Sequence, residues 1–211
     1  MSPARARSLA WLEPAILAGS LVPFFAIAYR AARGLLGPNP IATALNQLGL
    51  LALIFLVACL ACTPAKIVFG VTFPIRLRKT LGLSAFFAAL SHFLLYAVVD
   101  QELALSAIAR DVGKRPFIAV GFLALVLLAP LALTSTKQSL QRLGFARWKR
   151  LHRLVYGIAM LGIVHFTLRV KADTREPLVW GAIVAVLLLV RAVDAARNPK
   201  ARSKAPRAVV G

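Results

Sequence analysis

Acidic residues are scarce in this chain: seven Asp and Glu stand against 26 Lys and Arg in 211 residues. None of the seven falls in the middle of an apolar run. That excludes a Ser-His-Asp arrangement, which needs an acid to orient its base. It also argues against an ion or proton path, which normally shows intramembrane Asp or Glu. Cysteine is almost absent, with only Cys59 and Cys62, spelled CLAC. A structural zinc site needs four ligands and no second cysteine pair exists, so the two read as small packing residues at the end of an apolar run. There is no C-x-x-C-H and no G-x-G-x-x-G, which removes covalent haem attachment and the dinucleotide fingerprint. Long polar stretches are missing too, leaving no room for a sizeable soluble domain.

What is present is apolar. Hydrophobic residues make up 60% of the chain and the mean hydropathy is +0.78, above the usual composition of a soluble domain. A spanning helix needs roughly 20 mainly apolar residues. Six such runs are predicted, at about 12–29, 42–62, 81–99, 116–134, 151–168 and 178–194. The fold class expected is therefore an all-α membrane protein, a six-helix transmembrane bundle. Gly37, Pro38 and Pro40 mark the first loop, and Thr63 and Pro64 are expected to close the second span. Pro116 and Pro177 open the fourth and sixth, where a missing N–H does no harm. Pro130 predicts a kink inside the fourth. The first run carries Glu13, Pro14 and Pro23 and ends near a small-x-small pattern, FAIAY. A span is expected there rather than a cleaved signal, because Glu and Pro precede the apolar run.

The basic residues give orientation. A pI near 11.6 would suit nucleic-acid binding, but the charges lie in short loops between apolar runs rather than on one soluble face, so no nucleic acid is expected. With the N-terminus placed in the cytoplasm, eighteen of the 26 fall on the cytoplasmic side. They are Arg5, Arg7, the groups at 66–79 and 137–153, and those from Arg191 to Arg207. The other eight lie around 30–33, 110–115 and 169–175. The positive-inside rule then puts both termini in the cytoplasm. Residues 1–197 are expected to form a single membrane domain. Residues 198–211 are read as a basic disordered tail drawn to anionic membrane lipid.

All three histidines fall in the predicted third and fifth spans: His92, His152 and His165. One membrane histidine is often only a hydrogen-bonded packing residue; three of three is a functional signal. At 1.5 Å per residue, His92 lies ~16 Å and His165 ~21 Å from the start of its span. Both are in the same half of a hydrocarbon core ~30 Å thick, level enough to clamp one flat group between two helices. Neutral imidazole ligates iron well, and haem can be held by axial side chains. Two such ligands leave iron no open position, so electron transfer across the membrane is the function expected. His152 lies at the inner interface, and thirteen residues leave it about 140° from His165 around an ideal helix. One similar step inward from His92 reaches Arg78 and Lys79, not a histidine. One bis-histidine haem is expected. A second haem on His152 would need another kind of ligand opposite.

The stretches RKTLGLSAFFAALSHFLLY, KRPFIAVG and LTSTKQSLQRLGFARWKRLHRLVYGIAMLGIVHF carry a resemblance. Over residues 11–191 the chain resembles the haem-binding membrane subunits of bacterial periplasmic methionine-sulfoxide reductase systems, within the ferric-reductase-like transmembrane group. The resemblance implies that His92, His152 and His165 are the haem-linked histidines and that the haem is b-type. It implies six spans in a bacterial inner membrane, and electrons drawn from quinone or from a cytoplasmic flavin reductase, with FMN as a further cofactor. The acceptor implied is a periplasmic molybdopterin enzyme that repairs oxidised methionine, so the chain would be an electron-transfer subunit rather than the catalytic one. No flavin or nicotinamide domain follows the spans, so electrons are expected from another molecule. Two other readings stay open: a haem reductase with another acceptor such as ferric iron, and a transporter or assembly factor whose histidines only pack. The cationic loop STKQSLQRLGFARWKRLHR reads as a donor-docking surface or as a topology signal. Trp148 and Tyr156, four residues either side of His152, read as a cofactor edge or as interfacial aromatics.

Overall fold

The computed structural model describes residues 11–170 and 172–198. The basic tail at 199–211, Lys171 and the N-terminal Arg5 and Arg7 lie outside the described residues. The helices are α1 (Leu12–Ala32), α2 (Pro40–Phe69), α3 (Pro74–Leu94), α4 (Leu105–Lys114), α5 (Pro116–Leu133), α6 (Lys137–Leu143), α7 (Phe145–His152), α8 (Leu154–Arg169) and α9 (Arg175–Arg197). α3 runs on through a π-helical segment, Leu95–Asp100. There is no strand among the described residues. Among the described residues six helices are long and apolar enough to cross a membrane: Pro14–Ala32, Pro40–Phe69, Pro74–Asp100, Pro116–Leu133, Phe145–Arg169 and Arg175–Arg197. The chain is an all-α, multi-pass membrane protein.

Pro116 opens its helix and Pro177 lies in the first turn of α9, as expected. Pro40, Pro74 and Pro116 each stand in the first turn of a helix, where an absent N–H costs nothing. Asn39 caps α2 by accepting from the Ala42 N–H at 3.1 Å, and Gly70 ends it at φ 67°, a left-handed position that glycine adopts without strain. Pro64 is a correction. It does not close the span, because α2 runs on to Phe69. A proline inside a helix strips the carbonyl four residues earlier of its donor. Here that carbonyl is Leu60, and Arg191 of α9 donates to it through Nη2 at 2.6 Å. Pro23 and Pro130 likewise lie within α1 and α5.

α2 is the central helix. Its most apolar stretch is 56% buried, against 6% for α1 and 6% for α9. The core joins Leu53, Leu56, Val57 and Leu60 of α2 to Ala85 of α3, Leu128 and Leu131 of α5, Ile158 and Ala159 of α8 and Val184 of α9. Ala85, Ala88 and Ala159 are almost fully covered, small residues of the kind that let membrane helices approach closely. Val22, Phe25, Val179, Val186 and Leu189 on α1 and α9 stay exposed, a surface suited to lipid. Two antiparallel hairpins, α2 with α3 and α5 with α8, face each other across this core. One end of the bundle carries the connections at 33–39, 101–115 and 170–174, and the other those at 70–73 and 134–153.

Candidate metal centre

His92 sits near the end of α3 and His165 in the last turns of α8. Their ring centroids are 6.1 Å apart with planes at 86°. Two helices therefore meet at one level through their histidines. Each ring is seated against the other helix of its own hairpin. His92 Nδ1 lies 2.9 Å from the Leu45 carbonyl of α2, and His165 Nδ1 lies 2.6 Å from the Phe117 carbonyl of α5. A carbonyl only accepts, so each Nδ1 carries the hydrogen and donates it. Nε2 then keeps its lone pair, the state in which imidazole binds a metal.

The seat is the same in both hairpins. Four residues after each accepting carbonyl stands a glycine, Gly49 after Leu45 and Gly121 after Phe117. A Cβ at Gly49 would lie 3.3 Å from His92 Cε1 and Nδ1. One at Gly121 would lie 2.5 Å from His165 Nδ1, a distance real side chains do not tolerate. The missing side chains make the space in which the imidazoles lie. Reasoning from sequence passes over both glycines. An isolated glycine inside an apolar span is the one available signal, since it usually has a packing reason.

Between the histidines lies a cavity of about 550 Å³, within the usual range for ligand sites. Leu53, Leu56, Leu128 and Ile158 line its inner part, and Phe93 and Phe122 its side. The residues fit a haem iron. A metal–nitrogen bond of about 2 Å, plus about 1 Å from nitrogen to ring centre on each side, calls for centroids about 6 Å apart. Among the described residues there is no group of three or more His, Cys, Asp or Glu that could hold a metal ion.

His152 is not part of this site. It ends α7, before a break at Arg153, and does not line the cavity. Trp148 stacks on it with centroids 4.0 Å apart. Its Nε2 lies 3.1 Å from Thr134 Oγ1. That hydroxyl donates to the Pro130 carbonyl at 2.6 Å, so its oxygen is left to accept from His152 Nε2–H. Trp148 Nε1 also donates to the Thr134 carbonyl, at 2.9 Å. Ser135 returns its hydroxyl to the Leu131 carbonyl and Thr136 caps α6, so neighbouring hydroxyls serve helix ends. Tyr156 accepts from Arg191 Nη1 at 2.7 Å rather than flanking His152. Cys59 and Cys62 are free, bonded weakly to the Arg78 and Ala58 carbonyls.

Comparison with known proteins gives the family. The family described as "Ferric reductase like transmembrane component" matches residues 39–163, from the cap of α2 to within two residues of His165. A Rhodospirillum rubrum protein named "Protein-methionine-sulfoxide reductase heme-binding subunit MsrQ" is 47% identical over 184 residues, covering 87% of this chain and 88% of its own. A Deinococcus radiodurans protein of the same name is 48% identical over 188 residues, 89% of this chain and 93% of its own. A third, from Brucella anthropi, is 44% identical over 196 residues, 93% and 85%. No solved structure matches the chain.

Proposed function

Because the chain belongs to the ferric-reductase-like transmembrane family, and within it to the MsrQ subunits, we propose that it is the haem-binding electron-transfer subunit of a methionine-sulfoxide reductase system. The observation that carries this is the His92–His165 pair, 6.1 Å apart, with both Nδ1 atoms tied to carbonyls. His92 and His165 would hold the iron of one non-covalent b-type haem. Haem held in this way supplies a one-electron carrier with no open coordination position. The residues do the rest. Leu45 and Phe117 hold the tautomer, Gly49 and Gly121 give the rings room, and the apolar wall from Leu53 to Ile158 keeps water away. His152 is a packed interfacial residue in this reading, and its place as a second haem ligand is left to the stoichiometry.

Residues 1–197 act as one membrane domain with both termini in the cytoplasm, supported by the uneven spread of Lys and Arg. The host membrane is the bacterial inner membrane. The 101–115 end then faces the periplasm and its acceptor, a molybdopterin enzyme; the relatives' names support a methionine-sulfoxide reductase as the partner. The cationic 134–153 end receives electrons from quinone or from a flavin donor carrying FMN. The test is a reduced-minus-oxidised spectrum of purified protein made with ample haem supply. A b-type signal at one haem per chain is expected, and colourless protein overturns the reading in favour of a transporter or assembly factor. Coupled reduction of a periplasmic reductase against ferric iron decides the acceptor.

A further inference from the structure

The cavity between the histidines is polar at one end only. Leu53, Leu56, Leu128 and Ile158 close the inner part, while Asn46, Tyr96, Arg115 and Arg169 stand at the mouth together with Asp100 and Glu176. A flat ligand whose two carboxylates leave from one edge fits such a space in one sense. Turned inward, its carboxylates would meet only hydrocarbon, without a donor. Turned to the mouth, they meet two guanidinium groups.

The two arginines are not equally free. Arg115 Nε is paired with Asp111 Oδ1 at 3.2 Å, and Tyr96 donates to the other oxygen of Asp111 at 3.1 Å. Arg169 has no acidic partner among the described residues. Its Nη1 donates to Asn46 Oδ1 at 2.6 Å, a neutral acceptor, and the rest of its five-donor fork is left for an anion. The position also follows from the chain. Arg169 is one helical turn after His165, so both side chains project from one face of α8. Asn46 directly follows Leu45, the residue that seats His92.

We infer that Arg169 is the anchor for the haem propionates, with Arg115 as the second donor. The haem is thereby held with its carboxylate edge toward the 101–115 end of the bundle. Asp100 and Glu176 at the same mouth repel carboxylates and confine them to the arginine side. This rests on the bis-histidine haem reading above.

The test uses full-length protein loaded with either haem b or its propionate dimethyl ester, and follows haem release to an apo-globin acceptor. Wild-type protein should release the diester roughly tenfold faster than haem b, the scale of one lost charge-assisted contact. Arg169→Gln should speed release of haem b by a similar factor and leave diester release unchanged. Arg169→Lys, which keeps the charge but not the fork, should fall between. Equal release of haem b and diester from the wild-type protein overturns the inference without relying on any variant. So does an Arg169→Gln effect that is the same for both ligands, since that marks a role in the fold alone. A preparation that takes up neither ligand sinks the haem reading itself, and this inference with it.

Discussion

His165 and His152 stand thirteen residues apart on one stretch of chain, and the protein uses them in opposite ways. At His165 the nitrogen tied down is Nδ1, held by the Phe117 carbonyl, and the ring lies over a glycine with His92 facing it. At His152 the nitrogen tied down is Nε2, held by a hydroxyl whose own hydrogen is already given to Pro130, and the ring is stacked under Trp148. One imidazole keeps its usual metal-binding nitrogen and has a partner across a cavity. The other has that nitrogen occupied and an indole on its face. Burial alone does not separate a ligand from a packing residue; the choice of hydrogen-bonded nitrogen does.

Substitutions can break that contrast. The largest effect is expected for His92→Ala or His165→Ala, which should abolish the b-type spectrum, while His152→Ala keeps it. Haem content per chain, by pyridine haemochrome against protein mass, is the measurement. A drop from two to one in His152→Ala would make the inner histidine a ligand after all. Next comes Gly121→Ala. Its methyl would overlap His165 Nδ1 at 2.5 Å, so thermal unfolding in detergent should show about 1–3 kcal/mol of overpacking cost, together with lost haem. Gly49→Ala, at 3.3 Å, should cost less, and an equal cost would deny that the two seats differ in tightness.

Arg191 gives a smaller, purely structural probe. Arg191→Met leaves the Leu60 carbonyl and the Tyr156 hydroxyl without their donor, at about 2 kcal/mol. In a Pro64→Ala background the backbone N–H of residue 64 can serve Leu60, so the same substitution should cost less there. Additive costs in that double-mutant cycle would break the link between Pro64 and Arg191. The smallest effect belongs to Thr134→Val. It removes the acceptor of His152 Nε2–H at a partly exposed site and should cost about 1 kcal/mol of stability, with haem content unchanged. Loss of haem in this variant would place the inner cluster within the cofactor site.

Much of this was legible from the chain, because a membrane imposes coarse rules. Runs of about 20 apolar residues span, prolines open helices, and an ionisable side chain at depth needs a purpose. The stop at Pro64 fails for a reason outside those rules. The donor that lets α2 continue comes from Arg191, 127 residues further on, and nothing near Pro64 announces it. The two glycine seats stay hidden in the same way. Gly49 and Gly121 read as neutral spacers until the helix carrying each histidine is laid against them.

The amino-acid sequence by itself determined the solvent, the six spans and the level of His92 and His165, because length, hydropathy and rise per residue are local properties. Tertiary structure decided how each histidine is seated and which nitrogen it keeps. Those depend on carbonyls 47 and 48 residues away for His92 and His165, and on a hydroxyl 18 residues away for His152. An imidazole has two nitrogens, and only its neighbours across a helix interface choose between them.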